Sequence, residues 1–206
     1  MNENPDQKPY SEACERNKSA ILQVLSDEFA ERASVLEIGS GTGQHAVFFA
    51  EHLPHLVWQS SDVRENHDSI RAWINQSGAS NLRAPLAINV VRDPWPTGPF
   101  GAVFSANTAH IMSWLEVLAT LDGVRSCLQV GGLFCLYGPF SYDGAHTSPS
   151  NTAFDAMLRG RDPESGIRDV TSLRDEAGKR GLQLVRDHAM PANNRILVFR
   201  REEISK

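Results

Sequence analysis

Val35-Leu36-Glu37-Ile38-Gly39-Ser40-Gly41-Thr42-Gly43 decides how this chain is read. An apolar run of strand length passes directly into three alternating glycines. Gln44 to Leu53 follows with helical spacing, Ala46, Phe49, Ala50 and Leu53 falling on one face, and Pro54 closes it. A strand, a glycine turn and a helix start together make a site for a nucleotide-like cofactor. Glycine lets the backbone turn sharply and leaves room for a ligand because it has no Cβ. The first helical N–H groups have no intrahelical partner and face anionic ligand groups.

Outward from this turn, strands alternate with helices. Ser11 can cap a helix running to about Glu31, and strands are expected at Ser34–Ile38 and at Leu56–Ser61, which ends at Asp62. Arg64–Gln76 reads as helix, Arg83–Val90 as a short strand, Phe100–Ala106 as a strand and Trp114–Leu128 as a helix. Leu133–Tyr137 is a fifth strand, and a polar stretch from Gly138 to Asn151 reads as loop. A weak helix over Thr152–Leu158 and an Asp169-capped helix to Arg180 precede a hairpin-like pair, Leu182–Ala189 and Arg195–Arg201. The fold class is α/β: a mostly parallel sheet with helices on both faces. Such sheets bind ligands beyond the carboxyl ends of their strands. With 206 residues and no linker or repeat, one domain is expected, with residues 1–9 as a flexible arm.

Composition narrows the function. Hydrophobic residues are 41% and charged residues 22%, an ordinary globular balance, and the net charge of -5 argues against a broad nucleic-acid footprint. No apolar run approaches bilayer-spanning length, and Met1–Pro9 carries no apolar signal region, so no membrane role and a cytoplasmic location are expected. Cys14, Cys127 and Cys135 lack a metal-ligand pattern, the latter two reading as core. His52 and His55 flank Pro54, which breaks any shared helix face, so no metal is expected. Arg159, Arg161 and Arg168 interleave with Asp162, Glu164 and Asp169 and read as a mixed solvated surface.

The glycine spacing speaks to the cofactor. A dinucleotide fingerprint is G-x-G-x-x-G, whereas here position 44 is Gln and the third glycine comes one residue early. Glu37 with Gly39, Gly41 and Gly43, in the form E-x-G-x-G-x-G, resembles motif I of the class I S-adenosylmethionine-dependent methyltransferases. Asp62, at the second strand end, stands where an acid grips ribose hydroxyls in Rossmann-like sites; alone it reads as well as a cap for the helix from Arg64, but beside the glycine turn ribose binding is the better reading. Asn89 and Val90 follow the third strand, where these enzymes recognise adenine; a loop Asn bonding its own backbone is the competing reading.

The resemblance runs further. Tyr10-Ser11-Glu12-Ala13-Cys14-Glu15-Arg16-Asn17, Ser61-Asp62, Trp95-Pro96, Asn107-Thr108-Ala109-His110-Ile111, Tyr137-Gly138-Pro139-Phe140 and Met190-Pro191-Ala192-Asn193-Asn194 occur in order. Together they resemble a small family of methyltransferase-like proteins catalogued as a domain of unknown function. That resemblance implies a Rossmann-like, seven-stranded sheet with its last strand antiparallel, and S-adenosyl-L-methionine as cofactor. It implies cofactor contacts from Glu37, Gly39, Ser40, Gly41, Gly43, Asp62, Asn89, Val90 and Asn107.

For chemistry, His110 and Asn107 follow the fourth strand. His110 is a candidate general base, its unperturbed pKa being about 6.5, against a structural histidine bonded to backbone. Asn107 can orient cofactor or substrate. Arg16 can grip a cofactor carboxylate or an acidic substrate; Tyr10, Asn17, Tyr137 and Tyr142 are candidate substrate contacts. The expected activity is methyl transfer to a small molecule. The alternatives are a non-enzymatic S-adenosylmethionine-binding or scaffold protein and an NAD(P)-dependent oxidoreductase. Oligomeric state is not legible.

Overall fold

The computed structural model describes residues 8–203. In chain order the elements are α1 (Glu12–Glu28), β1 (Ser34–Ile38), α2 (Gln44–His52), β2 (Val57–Asp62), a 3-10 turn at Arg64–Asn66, α3 (His67–Asn75), β3 (Leu82–Ala87) and β4 (Phe100–Ala106). Then come α4 (Trp114–Cys127), β5 (Leu128–Tyr142), β6 (Ala145–His146), α5 (Pro149–Arg161), β7 (Arg168–Asp169), α6 (Val170–Lys179), β8 (Leu182–Met190) and β9 (Asn194–Arg201).

Seven strands form one path in the order β3-β2-β1-β4-β5-β9-β8, with β6 and β7 added beside the far end of β5. The described sheet therefore has nine strands rather than seven, the two extra being two residues each. Strands β1 to β5 run parallel, and β9 is inserted antiparallel between β5 and β8, as expected of the terminal hairpin. Pro85 is tolerated because β3 is an edge strand.

Alternation along the strands splits the core in two. Val35, Trp58, Phe104, Cys135 and Val198 face α1 and α2, while Leu36, Ile38, Val103, Phe134 and Phe199 face α4 and α6. Each fully buried side chain of this size contributes roughly 1.5–3 kcal/mol of transfer free energy. Cys127 and Cys135 belong to this core, and burial pushes both thiols well up, Cys127 to about 12.

Helix ends follow their local chemistry. Ser113 and Glu116 close a reciprocal capping box on α4, and Asp169 accepts from the N–H groups of Thr171 and Ser172 at the start of α6. Among the described residues, no helix is long and apolar enough to cross a membrane.

Three sequence expectations are corrected. The stretch from Gly138 is not loop at first: β5 continues through Pro139 to Tyr142, pairing with β9 and then β7. The weak helix is longer, because Ser148 caps it and Pro149 opens it. Part of the proposed arm is packed: the Trp73 indole donates to the Pro9 carbonyl at 2.7 Å, and the Lys8 ammonium lies 3.5 Å from the Trp73 ring centroid. Residues 1–7 of that arm lie outside the described residues.

Candidate active site

The glycine turn lies where β1 ends. Gly39, Gly41 and Gly43 all have positive φ, at 71°, 56° and 94°. Two of them are also forced by close approach: a Cβ on Gly39 would stand 2.6 Å from Thr108 Cγ2, and one on Gly43 would stand 2.9 Å from Ile70 Cα. A Cβ on Gly41 would meet nothing within 4 Å, and Gly41 lines an open cavity.

That cavity, about 510 Å³, is lined by Gly39, Ser40, Gly41, Thr42, Asp62 and Asn66 on one side and by Ala106, Asn107, Thr108, Ile111 and Met112 on the other. Ser11, Ala13 and Cys14 of the N-terminal segment form a further wall. Its size suits a cofactor-sized ligand. Asp62 organises it. One carboxylate oxygen accepts the Gly41 N–H at 2.7 Å, and the other accepts the Val63 N–H at 2.7 Å and the Asn66 amide at 2.9 Å. A carboxylate offers about four lone-pair sites, so capacity remains for a ligand hydroxyl.

Glu37 does not line the cavity. It is buried behind the turn, where one carboxylate oxygen accepts from Ser40 Oγ and Trp58 Nε1, both at 3.0 Å. Burial pushes its pKa up to about 7 against the pull of those two donors; nearby Asp62 adds to the rise. Its role is to hold Ser40, and through it the turn, against β2. Gly43 likewise packs against α3 rather than lining the cavity.

A second cavity, about 530 Å³, adjoins the first, with Ala13 and Asn107 lining both. Asn107 reaches that shared wall in a left-handed conformation (φ 59°), which Asn tolerates, with its N–H donated to the Tyr137 carbonyl at 2.9 Å. Here the structure brings together Arg16, Asn17, His110 and Tyr137, from α1, the turn after β4 and the middle of β5. Asn17 Oδ1 lies 2.7 Å from His45 Nε2. Burial raises the Tyr137 pKa, with Asn17 opposing.

His110 is buried, its ring edge-on to Phe154 with centroids 5.2 Å apart. Burial, with the Arg168 charge adding to it, pushes its pKa down to about 4. At neutral pH it is an unprotonated acceptor but a weak base, which corrects the expectation of a base near 6.5.

Other expected contacts lie elsewhere. Tyr142 lines neither cavity; its hydroxyl donates to Asp187 at 2.6 Å, and burial and that carboxylate push its pKa up to about 12. Tyr10 lines neither and is 58% exposed. Asn89 Oδ1 accepts the Val91 and Arg92 N–H groups, both at 3.1 Å, and the Val90 carbonyl accepts the Trp95 indole; neither residue lines the first cavity. The backbone-bonding reading of Asn89 thus describes its carbonyl oxygen. Arg16 opens onto the second cavity, not the first.

Sequence reasoning missed His45, Thr108 and Arg168. Arg168 is not solvated: it is buried, donating through Nε to the Ala109 carbonyl at 2.9 Å and through Nη2 to the Met112 and Glu164 carbonyls. It holds the 109–112 turn that carries His110. Its carboxylate neighbours in sequence hid this, because a fork bonded to carbonyls leaves no charge pattern. His52 and His55 each bond a backbone carbonyl, of Phe48 and Phe29.

Several solved methyltransferases share the fold. The S-adenosylmethionine-dependent methyltransferase SibL in its apo form superposes with a TM-score of 0.79 at 21% identity, covering 93% of this chain and 56% of that one. An O-methyltransferase family protein from Burkholderia thailandensis gives 0.81 at 16% identity, covering 94% and 59%. Human N-acetylserotonin methyltransferase, in complex with S-adenosylmethionine, gives 0.74 at 13%, covering 90% and 55%. The chain thus spans a little over half the length of these proteins and has the Rossmann-like fold of class I methyltransferases. At the sequence level, a family model described as protein of unknown function (DUF938) matches residues 8–201, nearly every residue the structure describes, and the chain belongs to that family.

Proposed function

We propose that this protein is an S-adenosyl-L-methionine-dependent methyltransferase acting on a small molecule. The observation that carries this reading is the pair of adjoining cavities walled by Asn107 and Ala13, one floored by the glycine turn and Asp62. The open space over Gly41, which any Cβ would fill, fits a cofactor lying against backbone. Asp62 would hold a ribose hydroxyl, and Gly39, Ser40 and Thr42 would contact the remainder. When bound, the cofactor supplies an electrophilic methyl group on a sulfonium. Asn107 orients the two ligands across their shared wall, and the neutral His110 ring hydrogen-bonds the acceptor. Positioning supplies much of the acceleration in such a displacement. The O-methyltransferases among the similar structures support an oxygen acceptor.

Thermal unfolding with S-adenosylhomocysteine tests the cofactor. At 100 times Kd the ligand stabilises by about 2.7 kcal/mol, and for a chain of this size that raises Tm by about 5–10 °C. Asp62→Ala is expected to abolish the shift. No shift of the wild type at millimolar ligand overturns the reading. NADH is expected to give no saturable fluorescence enhancement; saturation would favour a dinucleotide enzyme.

A further inference from the structure

The second cavity carries an electrostatic signature. Its polar lining, among the described residues, is Arg16, Asn17, Asn107, His110, Tyr137, Ser150, Asn151 and Asn194, with no carboxylate. Its apolar surface includes the Phe154 ring and Pro139 and Pro191. Behind the His110 turn lies the Arg168 guanidinium, whose hydrogen bonds go to carbonyls and which makes no ion pair within 4.0 Å among the described residues. Asp155, Glu164 and Asp162 act on it only from further off, and Asp155 is already paired to Arg159 at 2.8 Å. Arg16 stands at the rim, 71% exposed by side chain, in a 3.1 Å pair with the exposed Glu12. Such surface pairs exchange at little cost.

We propose that this cavity selects a small planar organic anion as methyl acceptor, a conjugated carboxylate or acidic hydroxyl compound, and rejects ammonium-bearing amines. A cation here would face Arg16 and the charge of Arg168 behind the His110 turn, with no carboxylate in the lining to offset its desolvation and the rim Glu12 already paired to Arg16. An anion meets a positive field focused between low-dielectric walls. The His110 ring, held neutral, adds no charge of its own, so the selection falls to Arg16 and Arg168. An ionised acceptor also resolves the weakness of His110 as a base. The acceptor oxygen forms its bond to the methyl carbon with its own lone pair, the C–S bond pair returns to sulfur, and no proton has to be removed.

This inference rests on the methyltransferase reading, and the test separates the two. Protein saturated with S-adenosylhomocysteine, its binding verified first by thermal shift, is titrated by calorimetry with 4-hydroxybenzoate, 4-hydroxybenzamide and 4-hydroxybenzylamine. A missing thermal shift sinks the cofactor reading; a shift followed by the wrong probe order sinks only the anion proposal. The benzoate is expected to bind about tenfold more tightly than the amide, a difference of about 1.4 kcal/mol, and the amine not detectably. Arg16→Gln is expected to weaken the benzoate by about three- to fivefold, as for an exposed pair, and to leave the amide unchanged. Arg168→Gln is expected to lose the preference and Arg168→Lys to keep it. Should Arg168→Gln not fold, Arg16→Gln and the fall of benzoate affinity with salt carry the test. Equal binding of amine and benzoate, no benzoate binding at millimolar concentration, or a benzoate-to-amide ratio unmoved by Arg16→Gln overturns the proposal.

Discussion

Gly43→Ala is expected to lose about 2–5 kcal/mol of folding stability, whereas Gly41→Ala, two residues away, is expected to stay folded and lose ligand affinity. Both glycines have positive φ, so each alanine bears the left-handed penalty of roughly 1–2 kcal/mol. They differ in what the new methyl meets. At Gly43 it would overlap Ile70 Cα at 2.9 Å and crowd Trp73 Cβ at 3.3 Å, so backbone must move. Overpacking of that kind costs about 1–3 kcal/mol more. The contact it would pry apart, between α3 and the turn, also carries the Ser69 hydroxyl bond to the Thr42 carbonyl. At Gly41 the methyl meets only open space, beside the cavity this residue lines. Filling that space is expected to weaken S-adenosylhomocysteine by about ten- to a hundredfold, if the same overpacking energy falls on the ligand. Urea midpoints and ligand-dependent Tm shifts on both variants check this. A Gly41→Ala protein that binds as wild type would mean that the ligand does not lie over the turn.

This pair shows what local sequence can and cannot say. The E-x-G-x-G-x-G run fixed the position of the turn because sharp backbone reversal depends on residues next to one another. The division of labour among its glycines depends on Ile70 and Thr108, which are distant in sequence. Asp62 was legible because a strand end places it, and it lies at the turn with three donors. Glu37 was legible as part of the motif, but its burial behind Ser40 was not, since that depends on Trp58 across the sheet. Tyr142 was misplaced because Pro139 and the polar residues after it read as loop. In the structure β9 and then β7 extend the pairing of β5 beyond that proline, carrying Tyr142 out to Asp187. Arg168 was misread because interleaved charge is ordinarily solvated, and only the fold shows three carbonyls converging on it.

The buried ionisable groups around the two cavities give the last expected result: stability is greatest near pH 7 and falls on the acid side by about 1.4 kcal/mol per pH unit, one net proton's worth. His45 and His110 are both held at about 4 by burial, below the ordinary histidine value of 6.5. Between those values the unfolded chain binds two protons that the folded chain refuses, so acid favours unfolding. Glu37 acts oppositely. Its folded pKa of about 7 lies above the ordinary glutamate value of 4.5, so in that window the folded chain holds one proton that the unfolded chain has released. Its contribution is fully present below pH 4.5 and is lost as pH rises through 7. Two protons against one leave a net slope of one between pH 4.5 and 6.5, and a shallow decline above 7 as Glu37 ionises in its apolar surroundings. Glu37→Gln removes the opposing proton. The acid-side slope is then expected to steepen to about 2.7 kcal/mol per pH unit, two net protons, and the decline above pH 7 to vanish. Urea unfolding from pH 4.5 to 8.5 reads both slopes. An unchanged profile in Glu37→Gln would mean that Glu37 is ionised in the folded protein, and that a charged carboxylate, rather than a neutral one, holds Ser40 beneath the glycine turn.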